Sequence, residues 1–235
     1  MLHPSWIITD LDETLLLEDS TISKRTFKAI ENIRSKGVKF GIATTRSKNF
    51  AQSYIDLLQP DIAVVSGGAL AYNEEKIVYQ QPIDIHLLKG LLKPLQLKKV
   101  VIDTTKGRFN SLSELNNLKD IEVLSLFIWL EIDENIATFK NQNSEIEITK
   151  LWEIGMYRLS HHKATKANAL KQILKKYDPK SIFCFGDDLM DVDMLDHFYG
   201  IAVANALKEV KAVATEITLS NKEEGFAHRV EQLLN

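Results

Sequence analysis

The sequence predicts an α/β fold: a parallel sheet covered by helices on both faces, interrupted by an inserted α+β segment. Three observations lead there. Short apolar runs alternate with amphipathic stretches in the first eighty and last seventy residues, as in βα units whose parallel strands are buried on both faces. The stretch between them is richer in strand-like runs. Several apolar runs end on a polar residue or a glycine, as strands do where an open α/β sheet presents its ligand-binding edge.

The elements follow in order. Trp6-Ile7-Ile8 is a short buried strand ending at Asp10. Ser23 is placed to cap a helix with Phe27, Ile30 and Ile33 on its apolar face, and Gly37 ends it. Val38 to Ala43 is the second strand, ending at Thr44. A helix from Ser47 to Leu58 is closed by Pro60, and the third strand, Ile62 to Val65, ends at Ser66-Gly67-Gly68. Residues 69–80 read as a hairpin around Asn73-Glu74-Glu75. In the insert, a helix at Ile85 to Leu92 precedes the strand Val100-Val101-Ile102. A long β-like run from Val123 to Ile132, a helical stretch and strands near Glu145 to Thr149 and Gly155 to Leu159 follow. The chain then returns to alternation. Helices are expected at Ala164 to Tyr177, Leu189 to His197, Leu207 to Ala214 and Glu223 to Leu234. Strands are expected at Ile182 to Phe185, ending in Gly186-Asp187, and at Ile201 to Ala204. The expected division is a core of residues 1–80 and 162–235 with an inserted domain of 81–161.

Composition narrows the function classes. The 235 residues are 45% hydrophobic and 26% charged, a globular mix able to bury a core. A net charge of -3 lacks the basic excess of a nucleic-acid binder. The longest purely apolar run, Leu126 to Leu130, is far short of the roughly 20 residues of a membrane span. Asp10, Asp12 and Glu13 fall where a secretory leader would be apolar. The one cysteine, Cys184, lies in an apolar strand and reads as core. A soluble cytoplasmic protein with no nucleic-acid or membrane partner is expected; oligomeric state has no signature in the chain.

In a parallel sheet the ends at Asp10, Thr44, Ser66-Gly67-Gly68 and Gly186-Asp187 share one edge. Asp12 follows Asp10 closely, and Asp187, Asp188, Asp191 and Asp193 contain no Lys or Arg among them. Asp187 and Asp191 are spaced for one helix face, where like charges repel. Bringing them to Asp10 therefore calls for a cation, and carboxylate oxygens beside water and phosphate suit Mg²⁺. Lys166 opens a helix, where a cation is locally unfavourable, unless it and the helix N-terminus face an anion. Asp188 and Asp193 read as a helix cap and a solvated face, Trp129 as sheet core, and His161 and His162 as a linker. Arg46 reads equally as a substrate contact or a surface ion pair.

These segments resemble the motifs of the haloacid dehalogenase (HAD) superfamily. Asp10-Leu11-Asp12-Glu13-Thr14-Leu15 is similar to its first motif and Thr44 to its second. Lys166-Ala167-Asn168-Ala169-Leu170 is similar to its third, a spacing that favours Lys166 over Lys163, and Gly186-Asp187-Asp188-Leu189-Met190-Asp191 to its fourth. The position of the insert resembles that of the Cof-like, or IIB, subgroup. The resemblance implies a Rossmann-like parallel-sheet core with an inserted α+β, C2-type cap. It further implies a Mg²⁺-dependent phosphatase acting on a small phosphorylated metabolite, a sugar phosphate or similar, through an aspartyl-phosphate. By the same resemblance Asp10 is the nucleophile and Asp12 the acid and base. Asp10, Asp12 (through its carbonyl), Asp187 and Asp191 hold the metal; Thr44 and Lys166 bind phosphate; Thr45, Arg46 and Gly67 are candidate substrate contacts. Four positions depart from the family pattern: Met190 for Asn, Thr45 for Gly, Gly67 for Asn and Ala167 for Gly. A phosphotransferase or mutase using the same intermediate is the alternative, as is a catalytically weakened phosphate-binding protein motivated by those departures.

Overall fold

The computed structural model describes residues 3–115, 121–130, 144–151 and 155–235. Strands β1 (Trp6–Thr9), β2 (Lys39–Ala43), β3 (Ile62–Val65), β4 (Leu70–Asn73) and β5 (Lys76–Gln80) come first. Next come β6 (Leu97–Thr104), β7 (Gly107–Phe109), β8 (Val123–Leu130), β9 (Ile146–Lys150) and β10 (Met156–His161). The last are β11 (Ile182–Gly186), β12 (Tyr199–Ala202) and β13 (Glu216–Ile217). They form an eight-stranded sheet in the order β13-β12-β11-β1-β2-β3-β4-β5 and a five-stranded sheet in the order β7-β6-β8-β10-β9. The first is parallel from β13 to β3 and antiparallel over β4 and β5.

The described helices are α1 (Lys24–Ser35), α2 (Lys48–Leu58), α3 (Ile85–Leu92), α4 (Lys166–Ile173), α5 (Val192–His197), α6 (Lys208–Val213) and α7 (Gly225–Leu234). Strand alternation divides α1 and α7 from α4, α5 and α6 on the two faces of the large sheet. Trp6 and Ile8 of β1 pack with Leu170 of α4, Leu195 of α5 and Val210 of α6. Ile7 between them packs with Ile30 and Ile33 of α1 and with Phe226 of α7. Both faces of β1 are thus buried, which is why it reads as a continuous apolar run. Cys184 lies in this core, fully buried in β11.

Several expected boundaries move. α4 stops at Ile173; Tyr177 instead turns back, donating its N–H to the Leu174 carbonyl at 2.8 Å and packing edge-on against Trp6. Leu189 to His197 divides into a tight turn over Leu189–Asp191, capped by Asp188, and α5. β12 begins at Tyr199, two residues early. β6 is longer than its apolar centre because Lys98 and Lys99 before that centre are polar and exposed, and β7 and the two-residue β13 carry too little periodicity to be read. The run from Val123 is a strand to Leu130. Glu131, Ile132 and the expected helical stretch lie outside the described residues.

The antiparallel sheet has two unlike faces. Ile102, Leu126, Leu159 and Ile148 turn one way and pack with Leu88 and Leu92 of α3. The other face carries the row Asp103, Ser125, Ser160 and Glu147, with Phe127, Arg158 and Thr149 in the next. Trp129 shares this second face and is absent from the apolar cluster, contrary to the expectation of core; Lys99 Nζ lies 4.5 Å from its ring centroid. Asp103, Ser125, Arg158 and Ser160 are buried despite their polarity, and Arg158 Nη2 donates to the Ser66 carbonyl at 2.8 Å. This face therefore meets the strand ends of the large sheet.

Candidate active site

The strand order runs outward in both directions from β1, with β2 on one side and β11 on the other. The crevice beyond their carboxyl ends is the favoured ligand position in such sheets. Asp10 enters it directly, its N–H donating to the Phe185 carbonyl at 3.0 Å. The chain then winds over Leu11–Leu15 with Asp12 extended and Glu13 left-handed at φ 53°. From this turn Thr14 Oγ1 donates to Asp187 Oδ1 at 2.6 Å.

Asp187 follows β11. Asp191 folds back on it, accepting the N–H groups of Asp187 and Asp188 at 3.1 and 3.2 Å. The two acids meet through a turn and not on one helix face, as their spacing had suggested. Asp188 does cap that turn, its carboxylate accepting the Leu189 N–H. Asp193 is half-buried beside Thr165 and not on a solvated face; burial raises its carboxyl above the ordinary range.

Lys166 is the first residue of α4, which Thr165 caps by accepting the Asn168 N–H. Its Nζ donates to Asp10 Oδ1 at 2.7 Å and to Asp191 Oδ1 at 2.6 Å, with 1% of the residue exposed. Lys163 is exposed. Gly68 permits this placement: at φ 100°, a Cβ there would lie 2.1 Å from the Thr165 carbonyl carbon and 2.6 Å from Lys166 N.

The acids outnumber the cation. Oxygens of Asp10, Asp187 and Asp191 lie within 4.8 Å of one another. Burial pushes the Asp10 carboxyl well up, against the opposing pull of Lys166, and Asp191 and Asp187 push it further. Burial raises Asp187 to about 7, with the Thr14 bond opposing and Asp191 reinforcing. Burial works against the charge on Lys166, but Asp10 and Asp191 outweigh it and hold the ammonium protonated.

The other expected residues surround this cluster. Thr44 is buried at the end of β2, and its Oγ1 accepts the Arg46 N–H at 3.1 Å. Its carbonyl accepts the Gly67 N–H at 3.0 Å. Thr45 is half-buried. Asp12 turns its carboxylate away from the acidic cluster to Arg46, in a two-pronged pair of 2.8 and 2.5 Å. Arg46 thus makes an ion pair, with Asp12. His161 ends β10 and its ring stacks on that of His162 at 4.7 Å. A larger cleft of about 1100 Å³, between α2 and the β4–β5 turn, contains none of these site residues.

A family model of haloacid dehalogenase-like hydrolases matches residues 7–120 and 103–230. This chain belongs to the haloacid dehalogenase-like hydrolases. Among relatives of this HAD family, the phosphoglycolate phosphatase of Methanopyrus kandleri is 24% identical over 236 residues, covering 98% of this chain and 97% of that one. A solved structure from Geobacillus kaustophilus superposes with a TM-score of 0.86 at 22% identity, over 99% of this chain and 100% of the other. A HAD subclass IIB sugar phosphatase superposes with a TM-score of 0.78 at 20% identity, over 97% and 98%.

Within the HAD fold, Arg158 is the part of the site's surroundings that the sequence motifs do not mark, whereas Thr14 and Ser66 lie in segments that they do. Its one signal is a cation at an inward position of an alternating strand, two residues before Ser160.

The raised Asp187 carboxyl has a measurable consequence. Its folded pKa exceeds the unfolded one, so its protonation stabilises the metal-free protein fully below pH about 4, and that stability is lost as pH rises through about 7. Asp187→Asn is therefore expected to stabilise the metal-free protein at pH 8 by roughly 1–4 kcal/mol, the upper end following from the free-energy equivalent of the shift. Thermal melts at pH 5 and 8 in a chelator check this: the gain appears at pH 8 and shrinks at pH 5.

Proposed function

We propose that this hydrolase is a Mg²⁺-dependent phosphomonoester phosphatase acting on a small phosphorylated metabolite, with residues 81–161 forming a cap over the catalytic core. The observation that carries the reading is the Asp10–Lys166–Asp191 triad with Asp187 beside it, at the strand ends where β1 meets β11.

The donor set fits a hard divalent cation. Three carboxylates gather with one ammonium to balance them, and oxygen donors without nitrogen or sulfur suit Mg²⁺. Asp10, Asp187 and Asp191, with the Asp12 carbonyl, would hold it; when bound, it supplies positive charge to the phosphoryl oxygens. Asp10 attacks phosphorus while the bond to the leaving oxygen breaks, giving an aspartyl-phosphate. Asp12 protonates that oxygen, then takes a proton from the water that attacks the phosphorus, releasing phosphate and restoring Asp10. The Asp12–Arg46 pair opens as substrate enters, freeing Asp12 for this transfer. Thr44 and Lys166 hold the phosphoryl oxygens as charge builds on them.

The departure at Met190 does not empty the site. Lys166 is oriented by Asp10 and Asp191, and Met190 lines a neighbouring cavity with Arg158, so the acids and the ammonium keep their positions. The test is phosphate release from p-nitrophenyl phosphate with Mg²⁺ and with a chelator. Activity is expected only with the metal; equal rates in both overturn the Mg²⁺ assignment. Repeating the reaction with a sugar as acceptor separates hydrolysis, which yields free phosphate alone, from transfer.

A further inference from the structure

The polar face of the five-stranded sheet presents a cation without a counter-ion. Arg158 is 3% exposed. Its Nη1 donates to Ser160 Oγ at 3.0 Å and its Nη2 to the Ser66 carbonyl at 2.8 Å, while Nε has no partner. Asp103, the carboxylate whose charge acts on it, is already gripped by Arg108 at 2.7 and 3.1 Å. Among the described residues Arg158 makes no ion pair. A buried charge is costly unless paired, and burial accordingly lowers this guanidinium to about 10.

A second orphan belongs to the residue whose carbonyl Arg158 holds. Ser66, at a strained φ of 52°, has a buried hydroxyl with no partner. Beside it, a Cβ on Gly67 (φ 65°) would come within 2.5 Å of Arg158 Nη2. The guanidinium occupies the space that a side chain at 67 would fill. Arg158 also lines a cavity of about 310 Å³ that extends to Met190 and to Thr165, the residue before Lys166. That volume matches a small ligand group, and Gly67 links this wall to Thr44 through its N–H.

We propose that Arg158 is the specificity-determining residue, binding an anionic group, a carboxylate or a second phosphate, on the leaving part of the substrate. The inference rests on the phosphatase reading above. An arginine pairs with either anion through parallel N–H donors, and such a partner supplies the missing counter-charge.

The experiment compares kcat/KM on 2-phosphoglycolate, a hexose 1,6-bisphosphate, a neutral hexose 6-phosphate and p-nitrophenyl phosphate. Wild-type protein is expected to favour at least one of the two anionic substrates over the neutral ones by tenfold or more, and whichever wins identifies carboxylate or phosphate. In Arg158→Gln that ratio falls at least tenfold, through KM. Arg158→Lys retains an intermediate ratio, and Gly67→Asn, which crowds the guanidinium, lowers it. A wild-type ratio near one, or equal losses on all substrates in Arg158→Gln, overturns the proposal. Hydrolysis of neutral esters alone overturns it while leaving the phosphatase reading intact; no hydrolysis of any ester removes both. The wild-type ratio decides even if a variant does not fold.

Discussion

On the proposed mechanism, Asp10→Asn is expected to abolish phosphate release, by about 10⁴-fold or more, while leaving the fold in place. The amide oxygen is a poor nucleophile, and losing the attacking group removes the pathway and not one of its contributions. The substitution is nearly isosteric, and Lys166 keeps its 2.6 Å bond to Asp191. The variant also removes a carboxylate whose ionisation is opposed by burial, so its thermal midpoint is expected to equal or exceed that of the wild type. Phosphate release and a thermal melt on the same preparation check both halves. Full activity in the variant would eliminate Asp10 as the nucleophile.

Lys166→Met carries the largest expected loss of stability. The side chain is 1% exposed and bonded to two buried carboxylates. Methionine fills much of the volume but leaves Asp10 and Asp191 facing each other without a cation. Breaking a buried pair by removing one partner costs about 3–5 kcal/mol, and urea denaturation in a chelator is expected to show a loss of that size. Adding Asp10→Asn removes one of the stranded charges and is expected to restore part of the stability, the non-additivity expected of contacting groups. On the proposed mechanism catalysis is expected to fall as well, by about 10²–10³-fold, as when one transition-state donor is removed. A double variant no more stable than the single one would show that the cost lies in packing and not in charge.

Much of this site was legible because each residue sits at a feature that sequence marks. Asp10, Thr44 and Asp187 directly follow apolar strands. Lys166 stands out because a helix start disfavours a cation, and the structure shows the two carboxylates that reverse that preference. Asp12 was legible as an acid near the cluster but not as the partner of Arg46, 34 positions away. Asp193 was misread because helical spacing cannot see Thr165 arriving from another segment.

The sequence by itself determined the βα alternation, the strand ends that carry the acids and the place of the strand-rich insert. These rest on local periodicity, on turn residues and on charges that make no sense alone. Tertiary structure alone decided that Asp191 folds back onto Asp187, that Lys166 bridges Asp10 and Asp191, and that Arg158 reaches Ser66 from the second sheet. The first replaces helical spacing by a turn, and the others join residues remote in the chain or cross between sheets. Their energetics depend on burial, and burial belongs to the packed molecule and not to any stretch of its sequence.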